Sequence, residues 1–115
     1  MSTRDELQID PARLADWLQS DPALQVIDVR EPHERDAGHL EGSRHIELNR
    51  LTEEAASVDR ERAVIFYCRV GSRSTLAAEA FRTAGFEAYS LQGGLLRWAD
   101  EGGALTPRDG TVAEH

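Results

Sequence analysis

The chain has 115 residues, 40% of them hydrophobic and 30% charged, with 21 acidic against 13 basic side chains and a net charge of −8. That length fits one domain able to bury roughly 60–70% of its unfolded surface, enough for a single sheet covered on both faces, while the acidic balance argues against general nucleic-acid or anionic-membrane binding. All thirteen basic residues are arginine, which excludes Schiff-base and P-loop lysine chemistry, and no apolar run is long enough to span a bilayer.

Met1-Ser2-Thr3-Arg4-Asp5-Glu6 has neither the basic start nor the apolar centre of a signal peptide, so the expected compartment is the cytoplasm. Leu7-Gln8-Ile9-Asp10 alternates apolar and polar and predicts a short edge strand. Asp10 before Pro11 is an N-cap followed by an N1 proline, and Leu14, Trp17 and Leu18 give the helix that follows its buried stripe. Residues 25–29 read as a central strand broken by Arg30-Glu31-Pro32. Pro32 to Arg35 predicts one helical turn, Arg44-His45-Ile46 a short strand, and Asn49 through Ser57 a helix. Ala63-Val64-Ile65-Phe66-Tyr67 is the strongest strand, a continuous apolar run of the kind buried in parallel sheets. A helix is expected from Thr75 to Ala84, with Leu76, Ala80 and Phe81 on one face and Gly85 ending it. A last strand is expected over residues 87–91, and then a helix carrying Leu95, Leu96 and Trp98. Thr106 to His115 is polar and rich in turn formers, so the expected division is one domain over residues 1–105 and a loosely held tail over 106–115. Strands alternating with helices imply an α/β fold with a mainly parallel sheet of strands, helices on both faces, and ligands at the carboxyl ends of the strands.

Cys68 sits at such an end, and it is the only cysteine. An intramolecular disulfide and a paired-cysteine metal knuckle are therefore impossible, and a lone cysteine is by default a small buried hydrophobe. What separates Cys68 from that default is the run Cys68-Arg69-Val70-Gly71-Ser72-Arg73-Ser74 between a strand and a helix. A tight loop at a helix start turns backbone N–H groups inward and adds the positive end of the helix dipole, which stabilises an anion without a metal. A cysteine at the mouth of such a loop is expected to favour its thiolate. Arg69 and Arg73 add fixed positive charge able to grip an oxyanion, Gly71 permits an unusual backbone angle, and Ser72 and Ser74 can cap and donate.

Four segments together resemble the rhodanese family along nearly the whole chain. They are Val26 to Pro32, Gly38-His39-Leu40-Glu41-Gly42-Ser43, the loop from Cys68 to Ser74, and Gly85-Phe86 with Leu91-Gln92-Gly93-Gly94 and Trp98. The resemblance implies a five-stranded parallel sheet flanked by helices. It also implies a sulfurtransferase in which Cys68 takes sulfane sulfur, from thiosulfate or a persulfide, and passes it to a thiol or cyanide, with backbone amides from Arg69 to Arg73 cradling the sulfur. No cofactor is expected. Val70 departs from the family pattern, in which a hydroxyl residue often stands at that third loop position. Phosphatases sharing the fold separate cysteine and arginine by five residues, whereas Cys68 and Arg73 are separated by four. The shorter loop suits a single terminal sulfur and makes phosphatase or arsenate reductase activity the lesser alternative. A protein-to-protein sulfur relay with little small-molecule turnover is the other alternative, and the net negative charge suits a basic protein partner.

The remaining polar residues have simpler readings. His33, His39 and His45 are six residues apart, a spacing that fits no helical or strand metal site, and no metal is expected. His39 reads as a structural hydrogen bonder. Asp28 and Arg30 read first as an ion pair bracing the loops and second as direct substrate contacts.

Overall fold

The computed structural model describes residues 6–115; the first five residues, part of the segment inspected for a leader, lie outside that range. Five strands form one sheet: β1 (Gln8–Ile9), β2 (Gln25–Asp28), β3 (Arg44–His45), β4 (Val64–Tyr67) and β5 (Ala88–Leu91). Their order is β1-β5-β4-β2-β3, and every pairing is parallel. The helices are α1 (Pro11–Ser20), α2 (Pro32–Ala37), α3 (Leu51–Glu54), α4 (Ser72–Thr83) and α5 (Gly94–Asp100).

The central strand shows why the sheet is covered on both sides. Along β4 and the residue after it, Val64, Phe66 and Cys68 join one core with Leu51, Ala77 and Phe81, while Ile65 and Tyr67 join a second with Leu14, Leu95 and Trp98. The two-residue period of a strand sends alternate side chains to opposite faces. Asp10 caps α1 as its sequence predicts, its Oδ1 accepting from the Arg13 N–H at 2.9 Å, with Pro11 in the first helical position.

Two helices differ from expectation. The segment predicted as one helix over residues 49–57 is α3 flanked by two 3₁₀ turns, Leu48–Arg50 and Ala55–Ser57. The Ser57 hydroxyl donates to the Glu54 carbonyl at 2.6 Å and competes for an acceptor that a continuing helix would use. In α4 the buried face is Ser74, Ala77, Ala78 and Phe81, whereas Leu76 is 61% exposed and Ala80 is exposed. The packed face is turned by one residue position, about 100°, from the expected one. Two adjacent alanines let the helix approach the sheet closely, and that contact outweighs the larger side chain of Leu76.

Strand order reverses between β2 and β4: the chain steps outward from β2 to β3 on one side and from β4 to β5 on the other. A crevice at the carboxyl end of such a switch point is where open α/β sheets take their ligands. Asp28 to Arg30 and Cys68 to Ser74 both stand there.

Candidate functional site

The cysteine loop is fixed from below by β4 and from the side by α5. The carbonyls of Cys68 and Arg69 accept from the N–H groups of Leu95 and Leu96, at 2.8 and 3.0 Å. These are otherwise unpaired donors of the first turn of α5, so loop and helix satisfy each other. In trans peptides the N–H lies opposite the carbonyl, so the amides of Arg69 and Val70 face away from α5. Gly94 makes the close approach possible: a Cβ built there would lie 2.3 Å from the Arg69 carbonyl oxygen, and its φ is +65°. Gly71, with φ of +107°, closes the loop and caps α4.

Cys68 is fully buried beneath this loop rather than at its mouth as its sequence position suggested. Its Sγ accepts from the Gly71 N–H at 3.1 Å and the Ser74 N–H at 3.4 Å, and the Ser74 hydroxyl lies 3.5 Å away. Among the described residues, those two amides are the ones that reach the Cys68 Sγ; Gly71 falls within the expected cradle from Arg69 to Arg73, and Ser74 lies one residue beyond it. Both belong to the start of α4, where N–H groups have no partner within the helix and favour negative charge. Ser74 is itself buried and tied to Ser90 Oγ at 2.8 Å, so β5 contributes a support absent from the sequence reading. Ser72 and Val70 face solvent, Val70 being 48% exposed.

The two loop arginines part company. Arg73 does not stand free to grip an anion: Nη1 and Nη2 donate to Glu34 Oε1 and Oε2 at 2.8 and 3.0 Å. Glu34 is fully buried in α2, and its Oε1 also accepts from the Glu31 N–H at 3.0 Å. Burial alone would raise the Glu34 carboxyl, but the Arg73 bonds, the Glu31 amide and the charges of Arg73 and Arg30 hold it below the usual carboxylate range. Bonding to Glu34 in turn raises Arg73, against the opposing effect of burial. Arg69 has no such counterion among the described residues, and its Nε is buried without an acceptor. Glu34 is the main residue that sequence reasoning missed. Its one local signal was the spacing Glu31-x-x-Glu34, which forms a reciprocal cap at the start of α2.

Asp28 and Arg30 form the bracing pair that their sequence context favours. Both are fully buried; Arg30 Nε and Nη2 donate to Asp28 Oδ1 and Oδ2, each at 2.8 Å, and Nη2 also donates to the Gly38 carbonyl. The Tyr67 hydroxyl donates to Asp28 Oδ2 at 3.2 Å, and Arg35 reaches the same oxygen at 3.4 Å. Burial and the neighbouring Asp28 charge push the Tyr67 phenol up to about 12. Burial opposes the charge on Arg30, yet bonding to Asp28 leaves it raised. The three histidines bond three different carbonyls: His33 that of Glu114, His39 that of Arg35, and His45 that of Arg30.

Residues 106–115 run back over α2 instead of trailing away. His39 and Thr106 exchange backbone bonds at 2.8 and 2.9 Å, the Thr111 N–H donates to the Ala37 carbonyl, and Val112 packs on the second core. His115 lies 3.1 Å from Glu31 and, with Arg73, Glu47 and Asn49, lines a cleft of about 490 Å³ beside the loop.

Comparison with known proteins agrees with this fold. A family model described as "Rhodanese-like domain" matches residues 10–101. "Probable adenylyltransferase/sulfurtransferase MoeZ" of Mycobacterium tuberculosis is 40% identical over 96 residues, covering 81% of this chain and 24% of that protein. The chain thus spans about a quarter of that relative's length. "Thiosulfate sulfurtransferase GlpE" of Pseudomonas paraeruginosa is 37% identical over 91 residues, covering 78% of this chain and 79% of the relative. Among solved structures, a rhodanese-related protein from Thermoplasma volcanium superimposes with a TM-score of 0.81 at 29% identity, over 88% of this chain and 98% of the other.

Proposed function

This chain belongs to the rhodanese-like family, and on that premise we propose that it is a sulfurtransferase carrying sulfur on Cys68. The observation that carries the reading is the pair of helix-start amides of Gly71 and Ser74 donating to the Cys68 sulfur. They stabilise an anionic sulfur, the form needed to attack and the form a persulfide takes once made. In the first half-reaction the Cys68 thiolate bonds to the sulfane sulfur of thiosulfate or of a persulfide. The S–S bond of the donor breaks, and sulfite or a thiolate departs with the electron pair. In the second, cyanide or an acceptor thiolate bonds to the outer sulfur and Cys68 leaves as thiolate. No external oxidant is consumed. Asp28 and Arg30 take no part in these bonds; they brace the neighbouring turn.

Incubation with thiosulfate is expected to add one sulfur atom to the protein by intact mass, and cyanide or a dithiol to remove it. Cys68→Ser should abolish the mass gain while keeping the far-UV circular dichroism of the wild type. Sulfur transfer surviving in that variant would sink the reading.

A second reading, relay between proteins, draws on the match to one quarter of a longer adenylyltransferase/sulfurtransferase and on the net charge of −8. A donor panel that includes a protein persulfide separates the two, since a relay module loads poorly from thiosulfate.

A further inference from the structure

Beside the amides of Gly71 and Ser74, the Cys68 sulfur has one more polar neighbour, the Ser74 hydroxyl at 3.5 Å. A hydroxyl has a single hydrogen to give. Three acceptors compete for this one: the sulfur, the Gly71 carbonyl at 3.2 Å and Ser90 Oγ at 2.8 Å. The Gly71 carbonyl already accepts from the Thr75 N–H at 3.0 Å and the Thr75 hydroxyl at 2.7 Å, which fills both its lone pairs. Gln8 Nε2 donates to Thr75 Oγ1 at 2.7 Å and leaves the hydrogen of that hydroxyl pointing at Gly71. Ser90, fully buried in β5 and in register with Gln8 of β1, has a hydrogen of its own to place. Its nearer acceptor is Ser74 Oγ at 2.8 Å, against 3.4 Å to Thr75 Oγ1. A buried donor takes the acceptor within reach, so Ser90 donates to Ser74. The Ser74 hydrogen is then left for the sulfur.

We propose that Ser90 and Thr75 are positioning residues that turn the Ser74 hydroxyl onto the Cys68 sulfur, adding a side-chain donor to the two loop amides. This role rests on the sulfur-transfer reading. In the first half-reaction the added donor favours the thiolate that attacks. In the second it meets the negative charge that returns to Cys68 as the acceptor takes the outer sulfur. No bond to Ser90 or Thr75 forms or breaks.

Cys68 is the only cysteine, so its ionisation is read on the intact chain by ultraviolet thiolate absorbance, with Cys68→Ser as the blank. Ser74→Ala, Ser90→Ala and Thr75→Val change no charge, and they leave in place both the loop amides and the Arg73–Glu34 pair. Each should move the titration midpoint upward by about 0.5–1 pH unit, because one donor to the thiolate is lost or turned away. Thr75→Ser keeps the hydroxyl and should keep the wild-type midpoint. Ser74→Ala combined with Ser90→Ala should shift no further than Ser74→Ala alone, since Ser90 acts through Ser74. Below the midpoint, loading from thiosulfate should slow about two- to fourfold in each shifted variant. A purely structural Ser90 would lower stability and leave the midpoint where it was. Unmoved midpoints in Ser90→Ala and Thr75→Val overturn the positioning role, and so does a further shift in the double variant. If Ser90→Ala does not fold, Thr75→Val against Thr75→Ser decides. Failure of wild type to load from thiosulfate or a persulfide would overturn the sulfur-transfer reading instead, because the titration does not depend on transfer.

Discussion

The turn after β2 and the loop after β4 stand side by side at the carboxyl ends of paired parallel strands, and both carry arginine, yet they are opposite kinds of polar structure. In the first, both carboxylate oxygens of Asp28 are occupied by Arg30, Arg35 or Tyr67, and Asp28, Arg30 and Tyr67 are fully buried. In the second, the backbone N–H groups of Gly71 and Ser74 converge on the Cys68 sulfur. A charge that already has its counterion can hold a turn in place but has little to offer a substrate. A site whose backbone N–H groups point at a sulfur is ready for an anion. The difference teaches that arginine near a nucleophile is no measure of anion binding until its partners are known, as the closure of Arg73 by Glu34 shows again.

The strongest way to break this comparison is to remove one side of the brace. Asp28→Asn leaves Arg30 charged and buried without its counterion, and should lower stability by about 3–5 kcal/mol. Urea denaturation measures it. A loss below about 1 kcal/mol would mean that the buried pair contributes little, and the contrast between the two regions would fall.

A smaller effect tests the same cluster by pH. The Tyr67 phenol is raised from 10.0 to about 12 in the folded state. A raised folded value means that the unfolded chain gives up its proton first as pH climbs. Stability from this group is therefore fully present below about pH 10 and is lost as pH rises through about 12. The thermal midpoint should fall across that window in wild type, and Tyr67→Phe should remove this component of the slope. An identical slope in both proteins would place the alkaline sensitivity elsewhere.

The smallest effect belongs to the loop. Val70 is half-exposed at the position where related loops often carry a hydroxyl. Val70→Ser should leave stability within about 0.5 kcal/mol and speed loading of Cys68 by no more than a few-fold, read by thermal melts and by mass. A large stability loss would show Val70 to be a packing residue and make the loop more like the brace.

Much of this protein is legible along the chain. The continuous apolar run of residues 63–67 predicts a buried central strand. Asp10 and Pro11 fix a helix start, and the glycines at 71, 93 and 94 mark where the backbone must turn sharply or approach closely. Those features are local, because hydrophobic period, capping and φ preference act within a few residues. Cys68 and its loop stand out on the same grounds, and so does the ion pair of Asp28 and Arg30, two positions apart. What only the tertiary structure decided are relations between distant segments. Glu34 meets Arg73 across 39 residues of chain, and no local pattern says which carboxylate will close which arginine. The face of α4 was set by how near two alanines let it lie to the sheet, overriding the apolar spacing that pointed to Leu76. The return of residues 106–115 over α2 rests partly on main-chain bonds at Ala37 and His39, and these leave little trace in side-chain composition because every residue type except proline offers the same backbone N–H.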